Sequence, residues 1–320
     1  MTRILLTGAG FSKNWGGMLA SEVFSYLLGA SELDAHTRKM LIKANSLRGG
    51  FEDVLAALQG SSDPQDQARF ATLTSVLVGM FNEMGLAFMQ QQFEFAAQPD
   101  ALRSLTPFLR RFDAIYTLNQ DTLLEQKYVT FGGAGRATYI PGMRFINPSA
   151  FTGSPHDLIA PMEPNPSQFQ LSASAQPYIK LHGSVNWVES NVGIRVLVMG
   201  GQKTVSIARF PILTWYHDEF RKALSQPGAK LMIMGYSFSD KHINDAIVEA
   251  IRTNDLKIFI VDPAGLQNLD QRGPPGAIPG PPCEFTETFL PQLIGVSTRP
   301  ISTTFDNDTV ENNTLMRFFG

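Results

Sequence analysis

The chain of 320 residues is predicted to be an α/β protein with a doubly wound, mainly parallel sheet. Short β-rich runs (RILLT, DAIYTL, PYIKL, AKLMIM and LKIFIV) recur along it, separated by segments with helical spacing of apolar residues. Each run stops at a glycine or a polar residue: GAGFS, NQD, HGS, GYS and DP. Ligands of open α/β sheets bind beyond such strand ends, so the pattern predicts a Rossmann-like sheet with a shared crevice at its carboxyl edge.

The elements follow in order. RILLTGAGFS reads as a buried strand running into a glycine turn, and GMLASEVFSYLLG as the helix after it. Residues 31–105 hold no convincing strand. DAHTRKMLIKA, FEDVLAALQ and QARFATLTSVLVGMFNEMGLAFMQQQF predict a helical insertion, which is either an interface or a cover for the sheet. DAIYTL resumes the strand pattern and TLLEQKY follows as helix. Residues 131–177, rich in Gly, Pro, Ser and Ala, predict a small irregular lobe. SDKHINDAIVEAIRTND is a helix with Ser239 or Asp240 as N-cap. GPPGAIPGPPC, 273–283, lacks the amide donors for a helix or central strand and is read as a surface loop. Residues 284–320 form a C-terminal segment, and 1–320 is read as one domain without internal repeats.

Composition sets limits. A hydrophobic fraction of 43% with 17% charged residues describes a globular chain with a sizeable core. No apolar run approaches the roughly 20 residues of a membrane-crossing helix, and the N-terminus lacks secretory signal features. A net charge of −3 argues against a general nucleic-acid surface, so no direct nucleic-acid binding is expected. The single cysteine, Cys283, excludes an intrachain disulfide and any cysteine-based zinc cluster. A cytoplasmic location is the default.

The candidate site residues sit at the strand ends. Gly8, Ala9, Gly10, Phe11 and Ser12 follow the first strand, where glycines permit positive φ and close approach of a diphosphate. The match to G-x-G-x-x-G is incomplete, since Lys13 stands where the third glycine belongs, and a tight turn without a ligand is the alternative. Asn119 and Asp121 end the next strand, where either could serve a site or cap the following helix. His182 precedes Gly183 at a third strand end, and an imidazole with a pKa of about 6.5 suits a general base. Gly235 and Ser237 mark a fourth, and Asp262 a fifth, facing a ribose or closing an Asx-turn before Pro263. His36, His156, His217 and His242 are read as structural. Phe11 and Trp15 either cover the site or pack in the core.

Taken together in this order and spacing, GAGFS, YTLNQD, KLHGS and MGYSFSD resemble the sirtuin superfamily over roughly 3–30 and 112–263. GAGFSKNWGG, FEDVL and GYSFSDKHIN look closest to the bacterial sirtuin-like proteins of anti-phage defence systems. The resemblance implies a sirtuin-like fold and NAD as substrate. Gly8, Ala9, Gly10 and Ser12 would hold its diphosphate, with Phe11 beside them. Asn119 would position the ribose or the attacking water, with Asp121 at the nicotinamide end. His182 would be the general base, Gly235 and Ser237 would line the adenosine side, and Asp262 would lie near its ribose. It further implies homo-oligomers and, in some systems, a HerA-type ATPase or an Argonaute-linked sensor.

Two departures shape the expected activity. The zinc ribbon of protein-deacylating sirtuins cannot be built here, so no metal is expected. KNWGGMLA replaces their G-I-P-D-F-R type stretch. The reading is therefore an NAD hydrolase that cleaves the nicotinamide–ribose bond as an abortive-infection effector. A zinc-free deacylase and a non-catalytic NAD or ADP-ribose sensor are the alternatives.

Overall fold

The structure is a computed structural model, and it describes residues 2–46, 50–96, 103–129, 137–146, 160–201, 203–265 and 284–320. The strands are β1 (Arg3–Thr7), β2 (Ala114–Thr117), β3 (Thr138–Tyr139), β4 (Met143–Phe145), β5 (Met162–Pro164), β6 (Gln176–Lys180), β7 (Gly183–Glu189), β8 (Ile194–Leu197), β9 (Lys230–Met234), β10 (Lys257–Val261) and β11 (Leu293–Ser297). Seven of them form one sheet in the order β11-β10-β9-β1-β2-β6-β3, every neighbouring pair parallel. The expected doubly wound α/β architecture is the one that forms.

The helices are α1 (Ala9–Ser12), α2 (Ala20–Gly29), α3 (Ala35–Ser46), α4 (Phe51–Gly60), α5 (Pro64–Gln90), α6 (Leu105–Leu109), α7 (Lys203–Ala208), α8 (Pro211–Leu224), α9 (Lys241–Asn254), α10 (Glu284–Phe289), α11 (Ile301–Asp306) and α12 (Thr309–Met316). Alternate residues of the strands feed two separate cores, as the period of two requires. Leu5, Ile115 and Tyr178 join the core under α2 to α6, α11 and α12. Ile4, Leu6, Tyr116 and Ile179 join the one under α8 and α9. The chain builds rightward from β1 to β2 and β6, then returns to β9 on the other flank of β1. That reversal makes the β1–β9 boundary the topological switch point of the sheet.

Within 31–105, the helices α3, α4 and α5 pack on the first core. α5 is long and apolar enough, by length and composition, to cross a membrane. Here Leu73, Leu77, Met80, Met84 and Phe88 bury one stripe of it against the sheet side. The irregular lobe differs from expectation. Among its described residues, β4 and β5 join β7 and β8 in a second sheet of order β4-β5-β7-β8. β3 and β6 add to the main sheet from the same stretch. The 273–283 loop lies outside the described residues.

Candidate functional site

The turn after β1 is short and its amides are already used. Gly8 donates to the Met234 carbonyl at 3.0 Å, Gly10 to the Gly235 carbonyl at 2.9 Å and Phe11 to that of Gly8 at 2.9 Å. Neither Gly8 nor Gly10 has positive φ among the described residues. The glycine is required for another reason. A Cβ on Gly8 would lie 2.6 Å from the Gly235 oxygen and 2.9 Å from the Tyr236 Cα, backbone that cannot yield. The expectation that glycine is used at these two positions for positive φ is therefore corrected. These glycines bring the β1 and β9 turns into contact at the switch point. Gly235 itself has φ 64°, which favours glycine.

Phe11 is also corrected. Its ring is fully buried and packs 5.3 Å from Trp15, which in turn meets Phe93 at 5.3 Å and Phe95 at 4.7 Å. Both aromatics belong to the core rather than to a cover over the site. Ala9 is exposed, and Ser12 is buried with its hydroxyl used as described next.

The three residues of Asn119-Gln120-Asp121 do three different jobs. Asn119 Nδ2 donates to the Gly8 carbonyl at 3.0 Å and to Ser12 Oγ at 2.9 Å, tying β2 to the glycine turn. Among the described residues no donor reaches its Oδ1. Thr7 and Thr117 join by their hydroxyls at 2.8 Å, and the Asn119 amide donates to Thr117 Oγ1 at 3.1 Å. Gln120 reaches sideways to the Val198 carbonyl. Asp121 Oδ1 accepts from the Leu123 amide at 3.0 Å, so the carboxylate acts as a local cap. Below this turn Lys180 is fully buried. Its ammonium donates to the Asp121 carbonyl and to Glu125 Oε1, while Tyr178 donates to Glu125 Oε2 at 3.0 Å. Burial pushes the Glu125 carboxyl up.

His182 is 2% exposed and lies at the level of Asn119, because Thr117 pairs with Lys180. Gly183 next to it has φ 74° and starts β7. The His182 Nε2 is 3.1 Å from His242 Nε2. His217, on α8, donates from Nε2 to the Leu181 carbonyl at 2.9 Å, and its ring centre is 5.3 Å from that of His242. His217 and His242, read from sequence as structural, are thus members of one cluster with His182. Desolvation holds all three below the ordinary imidazole range, with Lys203 adding to the effect on His182 and His242, and brings His217 to about 4. His156 lies outside the described residues.

An ion-paired chain runs up to this cluster. Lys203 Nζ binds Asp240 Oδ1 at 2.6 Å and Glu52 Oε2 at 2.9 Å, joining α4 to the start of α9. Asp240 occupies the N-cap position of α9 with no capping hydrogen bond from its side chain. The rest of the GYSFSD loop is held by Tyr236, whose hydroxyl donates to Asn244 Oδ1 at 3.0 Å, and by Asn244, which donates to the Phe238 carbonyl at 2.7 Å. They retain Phe238 at φ 56°, a costly conformation for a non-glycine residue. Ser237 is exposed and donates to Ser239 Oγ at 3.2 Å. Asp262 forms the Asx-turn: its Oδ1 accepts from the Ala264 amide at 2.8 Å.

The carboxyl edge thus brings Gly8, Ser12 and Asn119 into direct contact with one another, and gathers His182 with His217 and His242. Gly235 touches the first group through backbone, while Asp262 stands two strands from β1. The sequence signal that could have found His242 is its place in the first turn of a helix starting at a strand end. His217 had none, because α8 was not read.

A parallel doubly wound sheet, with its switch point and polar side chains on one edge, defines a Rossmann-like α/β domain. The SIR2-like domain family matches residues 113–273, just over half the chain, and the chain belongs to that family. A solved structure of Sir2Tm bound to a propionylated peptide is similar over 98% of this chain and 94% of that one, at 12% identity and a TM-score of 0.42. No curated protein matches.

Proposed function

We propose that the chain hydrolyses NAD, releasing nicotinamide and ADP-ribose. The observation that carries the reading is the pairing, at adjacent ends of β2 and β6, of an amide fixed to the glycine turn with buried His182, which meets His242 of α9 and lies beside His217 of α8. The bond from C1′ to cationic nicotinamide breaks through an oxocarbenium-like state, as in glycoside hydrolysis. The leaving group departs neutral, so no strong acid is required. The reaction needs a held ribose, a site for the departing amide, and water activated on the opposite face. Asn119, with Oδ1 unengaged, supplies the polar contact to ribose or water. The histidine cluster around His182 supplies the base. Ala9, Ser12 and Ser237 lie along the same edge for the rest of the dinucleotide, with Asp121 at the nicotinamide end and Asp262 on the adenosine side.

In this reading the protein is an effector that depletes NAD during phage infection. Constitutive NAD loss would kill the cell, so the activity is gated by homo-oligomer assembly or by a partner such as a HerA-type ATPase or an Argonaute-linked sensor. The test incubates pure protein with NAD, with and without an acylated peptide, and follows nicotinamide and ADP-ribose by chromatography. Release without peptide is expected. Release only with peptide, or binding without release, overturns the reading.

A further inference from the structure

NAD hydrolysis through His182 needs the imidazole to meet a ribose or a water, and in this structure the ring is closed off. The residue is 2% exposed, and its Nε2 faces His242 Nε2 at 3.1 Å. A carboxylate oxygen of Asp240 lies within 4.8 Å of a ring nitrogen of both histidines. The first turn of α9 therefore sits against the imidazole.

That closure is fastened from outside α9. Asp240 is the N-cap residue, where a carboxylate ordinarily accepts from an amide of the first turn, yet its side chain makes no capping bond. It turns instead to Lys203 Nζ at 2.6 Å, and the same ammonium holds Glu52 Oε2 at 2.9 Å. Three segments distant in sequence meet at this one nitrogen: α4 of the helical insertion, the start of α7 and the start of α9. The Lys203 side chain is 13% exposed and that of Asp240 11%, so salt screens their pair weakly, while Glu52 forms the outer arm at 35%. The stretch leading to Lys203 begins at the site, because the Val198 amide donates to the His182 carbonyl at 2.9 Å. It then lies on α4: a Cβ added to Gly201 would be 3.1 Å from the Ala56 Cβ, and one on Gly200 3.5 Å from that of Leu55. Beside this contact an open cavity of about 1510 Å³ runs between α2, α4, α5 and β8, with Leu55, Gln59, Leu197 and Met199 in its wall. The cavity undercuts residues 199–203, leaving them joined to the insertion by two packed glycines and one lysine.

We propose that Lys203, clasped between Glu52 and Asp240, latches the chain in an autoinhibited state, and that α4 is the lever through which activation acts. The proposal rests on the NAD-hydrolysis reading and supplies its regulation. While the ammonium spans both carboxylates, residues 199–203 and the first turn of α9 stay closed over His182. When α4 draws away, Lys203 loses its outer partner, residues 199–203 have the cavity to move into, and the ring opens to the cleft.

The test opens the latch in some variants and bolts it in another. While the closed form dominates, the rate rises in proportion to the open fraction, so Glu52→Ala and Lys203→Met are expected to release nicotinamide about 5-fold faster than wild type or more. Ala56→Cys with Gly201→Cys, in a Cys283→Ser background, puts two thiols where a shift of a few tenths of an ångström gives disulfide spacing. The oxidised form should be about 10-fold slower than the same protein reduced, or slower still. Carbethoxylation of His182 reads the closure without NAD, because the tryptic fragment 181–195 holds no other histidine. Its labelling should rise about 5-fold in Glu52→Ala and fall when the cross-link forms. Release and labelling unchanged or reduced in Glu52→Ala, or a cross-linked protein as fast as its reduced form, overturns the latch. Absence of nicotinamide release from every protein defeats the hydrolase reading, and the labelling still judges the latch. Circular dichroism verifies each fold, and Glu52→Ala with the cross-link decides the outcome should Lys203→Met unfold.

Discussion

Replacing Lys180 with methionine removes one charge from the interior and leaves its partner behind. The Lys180 side chain is fully buried and that of Glu125 is 8% exposed, with 2.5 Å between Nζ and Oε1. Methionine fills the stem of the lysine but offers nothing to Glu125 Oε1 or to the Asp121 carbonyl. Breaking a buried pair from one side costs about 3–5 kcal/mol, against a total stability of about 5–15 kcal/mol. The loss depends on pH, with a sign set by Glu125. Burial raises its folded carboxyl above the usual 4.5, even beside Lys180. Above that ordinary value the unfolded chain binds fewer protons than the folded one, so stability declines as pH rises toward the folded value. Lys180→Met should therefore be more damaged at pH 8 than at pH 5. The double variant Lys180→Met/Glu125→Leu should recover much of the loss. Urea unfolding of the three proteins at both pH values checks this. A Lys180→Met protein within 1 kcal/mol of wild type at pH 8, or one less damaged there than at pH 5, refutes the reasoning.

Two further outcomes follow from the same edge of the sheet. Gly8→Ala drives a methyl group into the Gly235 and Tyr236 backbone, and overpacking of that kind costs about 1–3 kcal/mol or more, read as a lowered urea midpoint; an unchanged midpoint would show that the two turns can part. His217 is held at about 4, so the unfolded chain takes up a proton between about pH 6.5 and 4 that the folded one refuses, and stability falls as pH drops through that window. His217 alone accounts for about 3 kcal/mol at the bottom of the window. His217→Gln should flatten the slope, and an unchanged slope would place the titration elsewhere.

The parallel sheet was legible because its strands are buried on both faces and read as apolar runs, and because glycine or polar residues end them. GAGFS, NQD, HGS and GYS each marked a strand end correctly. The reason for the glycines was not legible: Gly8 and Gly235 serve each other across the switch point, a contact that no local pattern encodes. Phe11 looked like a cofactor residue by position, yet it packs on Trp15, which Phe93 and Phe95 of a distant segment cover in turn. β7, β8, α7 and α8 were missed. SVNWVE mixes polar residues into a buried strand, where Ser184 and Asn186 bond each other at 2.7 Å. With α8 unread, His217 could not be placed, and His242 looked like a helix-face residue. β11 escaped notice because LIGVS is short, carries a glycine and follows the proline-rich stretch.

The central claim is that the Asn119 amide at the end of β2 and the His182 imidazole at the end of β6 act on one anomeric carbon. A time course of NAD with purified protein, followed by proton NMR without any peptide, tests it most directly. Free nicotinamide should grow in step with ADP-ribose for the wild type and be absent for a folded Asn119→Ala. Equal nicotinamide release by that variant would contradict the account.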